Sequence, residues 1–397
     1  SIGLTMKPHP GFWQDIVANP DDDTPRLIYA DWLDDHDEPE QAELIRLQCE
    51  LATLTPASDR YFQLQARESE LLLGYTLNSD LPLLRGVSYG EHPARGFANQ
   101  AMLHLTTVQS SQAFAEAEVL SEVLRQTPVR DIHLSASVVA ARNLLQRPEC
   151  KELHGLTLSV SQGQSRPGEL LRDADLLGLR SLTLDSRVGE ADIQDLANNP
   201  SLLNLESLGI TRYGIGRKAM RSLLDAPWAP RLRRLRLYGF TPTAMRALCE
   251  SRSLSSLHTL FLSDTFRCPD LLDLLSASRS LPNLASLSAH RIPLDPLSVR
   301  RFATRHAFDL RELSLWKCGL GDEGAEALAE SESTSSLRHL LLCTNGISPR
   351  GVAALAQSPH LGGIRELTLS YNPLCTEGLQ SLSESSNWSN LLQLRLL

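Results

Sequence analysis

Five acidic side chains crowd one short stretch: Asp31, Asp34, Asp35, Asp37 and Glu38. Carboxylates this close could hold a divalent cation through oxygen, so a metal-dependent enzyme is the first chemistry to weigh. A helix–loop–helix calcium site needs acids at alternate positions, a glycine at the sixth and a closing glutamate. No glycine lies between Asp31 and Glu38. The cluster therefore reads as a solvated acidic face, with Trp32 packed between helices and His36 on the surface. Seven cysteines (Cys49, Cys150, Cys249, Cys268, Cys318, Cys343, Cys375) are odd in number and form no Cys-x-x-Cys pair. That pattern argues against a zinc site or a disulfide framework and for reduced thiols in a cytoplasmic protein. The histidines are isolated from one another; no phosphate-binding glycine loop, nucleophile elbow, His-Glu-x-x-His pair or kinase signature set occurs. The expectation is a chain with no catalytic residue, no cofactor and no metal.

The remaining candidates suit recognition. Tyr238, Phe261, His290 and Trp316 stand in four consecutive sequence units, with Arg234 and Arg236 beside the first. Aromatic rings with arginine are the composition of a protein-binding hot spot. Their positions are set by a repeat. A Leu-x-x-Leu-x-Leu segment, or a near relative, returns with its second apolar residue at Ile132, Leu156, Leu182, Leu208, Leu235, Leu260, Leu287, Leu313, Leu340, Leu367 and Leu394. The intervals lie between 24 and 27 residues. A fixed period of this size means stacked supersecondary units whose neighbours cover one another's leucines. Each unit reads as a short strand followed by a helix, as in Gly324-Ala325-Glu326-Ala327-Leu328-Ala329 and Gly351-Val352-Ala353-Ala354-Leu355-Ala356. Strands and helices differ in width, so the predicted stack curves with its parallel strands on the concave side. Alternation along a strand then turns the residues flanking each core leucine outward. A second column, Arg130, Arg180, Arg233, Arg311, Arg338 and Arg365 with His154 and His258, reads as a solvated strand edge.

Leu310-Arg311-Glu312-Leu313-Ser314-Leu315-Trp316-Lys317-Cys318-Gly319-Leu320 and the two units after it resemble the leucine-rich repeat family, in its helix-containing, ribonuclease-inhibitor-like class. The resemblance covers about 129–397. In that family an asparagine or cysteine after the strand bonds the turn backbone, and Cys318, Asn345 and Asn372 occupy this position here. Tyr213, Phe240, Thr265 and Ile292 depart from it, so the earlier units are expected to be less regular.

Residues 9–77 read as a helical module. Thr24-Pro25 is a start signal, and helices are expected over 12–18, 25–33, 40–54 and 60–77. Asn19-Pro20-Asp21-Asp22-Asp23-Thr24-Pro25-Arg26-Leu27-Ile28-Tyr29-Ala30-Asp31-Trp32-Leu33-Asp34 and Glu40-Gln41-Ala42-Glu43-Leu44-Ile45-Arg46-Leu47-Gln48 resemble the repeat-companion domain of bacterial, planctomycete-type repeat proteins. That resemblance implies pairing with repeats and no particular activity. A connector is expected over 78–99, with its scattered glycines and prolines, then a cap of strand and helix over 100–128 and repeats over 129–397. The fold class is thus α/β, a leucine-repeat solenoid preceded by a small all-α module.

Of the formal net charge of −9, all falls in residues 1–50, where 12 acids meet 3 bases. The neutral remainder is a poor polyanion binder, so nucleic acid is not an expected partner. No apolar run is long enough for a membrane span, and the first residues lack the apolar stretch of a secretory signal. The functional expectation is a cytoplasmic, non-enzymatic scaffold that binds an unknown protein on its concave face. An inhibitor or regulator of an enzyme or GTPase is the alternative within binding. The sequence ends on the apolar stretch 391–397 at its last strand, with no polar capping unit expected after it, which points to self-association there.

Overall fold

A computed structural model describes residues 4–5, 9–54, 59–73, 75–76, 81–90, 93–105, 110–161, 166–211, 214–263, 268–278, 280–305 and 309–396. The chain forms two compact units, Ser1–Ser186 and Arg187–Leu397. This division falls inside the repeats, where the sequence suggested boundaries near 77, 99 and 128.

The first unit opens with helices Pro10–Ala18, Thr24–Asp34, Pro39–Thr53 and Asp59–Leu72. Proline in the first turn starts three of them, where its missing N–H has no intrahelical partner to lose. The fourth was expected to reach residue 77. It stops at Leu72, and Tyr75–Thr76 instead pairs in parallel with Leu4–Thr5. The helical core gathers Ile16, Tyr29, Ala30, Leu33, Ala42, Ile45 and Cys49, and Phe97 completes it from the expected connector. Phe97 arrives on a tight hairpin, Pro93–Ala94 against Phe97–Ala98. At its bend Gly96 has φ +82 and lies so close to Ile45 that a Cβ would collide. The buried Gln48 amide holds the hairpin by accepting from Gly96 N–H (2.6 Å) and donating to the Pro93 carbonyl (3.0 Å). The Trp13 indole donates to Gln126 O at 3.2 Å. These ties place module, hairpin and first repeats in one compact unit.

Strand Gln100–Leu105 and helix Ser110–Gln126 come next in the chain. Val87–Tyr89 pairs antiparallel with that strand and covers its outer edge. Strands Asp131–Ala136, Gly155–Val160 and Ser181–Leu184 follow in parallel.

Among the described residues of the second unit, eight strands run parallel in chain order: Ser207–Ile210, Arg234–Tyr238, Thr259–Ser263, Ser286–His290, Glu312–Trp316, His339–Leu341, Glu366–Thr368 and Gln393–Arg395. The register sets Leu208, Leu235, Leu260, Leu287, Leu313, Leu340, Leu367 and Leu394 in one row. All but Leu394 are buried. Each contributes roughly 1.5–3 kcal/mol by leaving water. Helices stack in a second layer, among them Pro242–Glu250, Pro296–Arg305, Gly321–Ala329, Pro349–Gln357 and Cys375–Glu384. The fold class is an α/β repeat solenoid.

Two hydrogen-bond ladders join successive repeats. Asn345 Oδ1 accepts from Cys318 N (2.9 Å) and Leu320 N (3.4 Å), and Asn372 Oδ1 accepts from Asn345 N (2.8 Å) and Ile347 N (3.1 Å). The Cys318 thiol donates to Ala289 O at 3.0 Å. Where the position holds Phe240 or Ile292, the side chain is fully buried; Tyr213 and Thr265 lie outside the described residues. The second ladder had no place in the sequence reading. The hydroxyls of Ser331, Ser358 and Ser385 donate to the carbonyls of Ala303, Ala329 and Ala356, each at the end of the preceding repeat's helix. They satisfy acceptors that a helix C-terminus leaves orphaned.

Candidate functional site

The Arg234–Tyr238 strand buries Leu235 and Leu237, so Arg234, Arg236 and Tyr238 face outward. The same alternation turns Phe261, His290 and Trp316 outward from the next three strands. Register sets Arg236 beside Phe261 and His290 beside Trp316. The rings form an unbroken row. Tyr238 and Phe261 lie 5.2 Å apart, Phe261 and His290 4.6 Å, and His290 and Trp316 5.7 Å, the last two edge-to-face. Edge-to-face contacts set a positive ring edge against a negative face. The Arg236 guanidinium sits 5.3 Å from the Phe261 centroid, in cation–π range. His290 Nε2 meets Ser314 Oγ at 3.1 Å.

Trp316 is 38% exposed, the three other rings are half-buried, and Arg234 and Arg236 are exposed. Arg234 stands on the same strand without a ring contact among the described residues. Not every outward position is open. Ser263, Ser288 and Ser314 are buried, although the alternation suggested surface. Small hydroxyl side chains in those places lie below the height of the larger rings around them.

Polar side chains stand one residue before the core leucines of the Ser286–His290, Glu312–Trp316, His339–Leu341 and Glu366–Thr368 strands. Ser286 Oγ donates to Glu312 (2.9 Å), His339 Nδ1 contacts Glu366 (3.0 Å), and Arg395 reaches Glu366 at 3.8 Å. The His339 ring holds the Glu366 carboxyl below its ordinary range, against the opposing effect of burial, and Arg395 adds to the lowering. His339 and Glu366 share one offset, directly before their core leucines, while Arg395 joins them from another, directly after Leu394.

The arginine column has a structural role. Successive members bond through the backbone, as in His154 N to Arg130 O (2.9 Å), Arg180 N to His154 O (2.8 Å) and Arg338 N to Arg311 O (2.8 Å). Arg338 Nη1 donates to the carbonyls of Ser335, Ser336 and Leu337, and Arg130 Nη1 to those of Thr127 and Val129. These side chains close the turns entering their strands.

In the acidic cluster, the Nη2 of Arg46 lies between Asp31 (2.6 Å) and Asp34 (2.7 Å). Trp32 is half-buried and stacks on His36 at 3.8 Å. Among the described residues, no group of three or more His, Cys, Asp or Glu side chains is placed to hold a metal ion. The cysteines are unpaired. Burial pushes the thiols of Cys49, Cys150, Cys249 and Cys268 up to about 12 and that of Cys318 to about 11. A thiol so raised stays protonated and is a poor nucleophile. Among the described residues no helix is long and apolar enough to cross a membrane.

Residues 306–329, the repeat carrying Trp316, match the family model described as a Leucine Rich repeat. Among curated proteins, none matches the chain. Among solved structures, the chain is similar to a protein from Bacteroides fragilis, with 13% identity over 72% of this chain and 81% of that one and a TM-score of 0.42. It is also similar to a chain from the yeast Rad7 and Elc1 complex, with 18% identity over 70% and 81% and a TM-score of 0.40.

Proposed function

We propose that this leucine-rich repeat protein is a non-enzymatic scaffold that holds a protein partner against the outward face of its strands. The single supporting observation is the unbroken row of Tyr238, Phe261, His290 and Trp316 across four repeats, with Arg236 over one ring and Trp316 open to solvent. Half-buried rings already fixed by their neighbours lose little side-chain freedom on binding, which suits an interface anchor. Arg234 and Arg236 supply the charged rim, and a partner with acidic side chains around an apolar centre fits them. The protein works in the cytoplasm in this reading, supported by seven unpaired thiols. The repeats belong with the ribonuclease-inhibitor-like class, and the Cys318–Asn345–Asn372 ladder supports that placement. We also propose a contact between copies of this chain through the strand Gln393–Arg395 and its neighbours, supported by Leu392 and Leu394, which are 70% and 41% exposed.

The test is affinity capture from the native cell with wild type and a Tyr238→Ala/Trp316→Ala variant, read by mass spectrometry. Loss of at least one specific partner at unchanged thermal stability is expected. Equal recovery of every partner would remove the aromatic row from the interface.

A further inference from the structure

A second site lies far along the chain from the aromatic row, within the first unit. A cavity of about 210 Å³ opens between the helical module, the 93–98 hairpin and the first repeats. Four guanidiniums line it. Arg26 comes from helix Thr24–Asp34, Arg95 from the hairpin bend, and Arg130 and Arg180 from the turns entering two strands. His154 stands between the last two, because the backbone ladder sets Arg130, His154 and Arg180 side by side. Two carboxylates in the wall, Asp21 and Asp131, leave positive charge in excess even with His154 neutral.

The partners present do not exhaust these cations. Arg95 reaches Asp23 at 3.4 Å and His154 reaches Asp21 at 3.4 Å. Arg26, Arg130 and Arg180 make no ion pair among the described residues. Arg26 is only 3% exposed; its Nη1 donates to the Asp22 carbonyl (2.8 Å), while its Nε has no hydrogen-bond partner. A buried cation with an unused donor is costly to keep unless something completes it. Burial pulls Arg26, Arg130 and His154 below their ordinary values, and neighbouring guanidiniums add to the lowering at Arg26 and His154. Phe97, almost fully buried, adds an apolar wall that strengthens charge interactions inside.

We propose that this cleft binds the phosphate group of a small phosphomonoester, gripped by Arg26, Arg130 and Arg180. Arginine forks match phosphate oxygens in pairs. Three guanidiniums without ion-pair partners among the described residues suit a dianion better than the single charge of a carboxylate. The volume is below the roughly 300–1,000 Å³ of pockets for drug-sized ligands, which favours a compact ligand.

Isothermal titration of the full chain with inorganic phosphate and with phenyl phosphate tests this. Both probes are expected to bind saturably, phenyl phosphate at least as tightly. Arg180→Gln, a change at an exposed side chain that leaves packing intact, is expected to weaken both by roughly tenfold. Arg26→Gln is expected to do the same where its thermal unfolding matches wild type, and Arg234→Gln is expected to change nothing. Absence of saturable binding, equal affinity in wild type and Arg180→Gln, or exclusion of phenyl phosphate while inorganic phosphate binds would each overturn the assignment.

Discussion

Glu366 shows how one residue of the strand face couples to pH. Its carboxyl touches His339 and Arg395 and lies below its ordinary value of 4.5. A carboxyl depressed by folding adds stability that is complete above its unfolded value and is lost as pH falls through the depressed one. Wild type is therefore expected to lose more thermal stability than Glu366→Gln on moving from about pH 5 to about pH 3. Parallel pH profiles for the two proteins would show that the carboxylate adds nothing. Individual residues differed in how far sequence exposed their roles. Asn345 and Asn372 were legible, because a fixed offset from a repeating leucine defines their job. The aromatic row was legible too, since alternation and period together set both direction and neighbour. Gln48 was not: its hydrogen bonds reach Pro93 and Gly96 across a span with no periodicity. Arg26 reads as an ordinary helical residue, and only the fold brings it beside Arg130 and Arg180.

At the scale of the element, each strand depends on the one before and the one after. Leu340 is fully buried and registered between Leu313 and Leu367. Leu340→Ala is expected to cost about 2–5 kcal/mol, the range for a large side chain lost from a packed interior. In a stack each unit touches only its neighbours. Hydrogen exchange should accordingly rise first in Glu312–Trp316 and Glu366–Thr368, and later in Arg234–Tyr238. A uniform rise across the second unit would contradict nearest-neighbour stability. Strand positions were readable because leucines recur at near-constant spacing. Helix ends were less so: the fourth helix stops at Leu72 because its chain leaves to pair with Leu4–Thr5, a distant partner. The hairpin 93–98 looked like connector for a similar reason. Its glycine and proline mark a bend, but nothing local says that Phe97 enters the helical core.

At the scale of the whole molecule, the two candidate sites belong to different compact units. Arg180→Gln should leave partner capture unchanged, and Tyr238→Ala/Trp316→Ala should leave phosphate binding unchanged. The proposed contact between copies at the last strand predicts that Leu392→Glu/Leu394→Glu lowers the sedimentation-derived mass at high protein concentration. The same mass for variant and wild type at every concentration would dismiss that contact. The serine and asparagine ladders constrain how such a chain can change its length. Ser331, Ser358 and Ser385 differ by 27 positions, as do Asn345 and Asn372. Excising residues 332–358 would bring the Ser385 hydroxyl to the carbonyl that Ser358 had served, and Asn372 to the turn that Asn345 had served. Removing a single residue inside a helix would misalign both. Insertions and deletions in this lineage should therefore come in whole-repeat steps, each new junction inheriting a donor already matched to its acceptor.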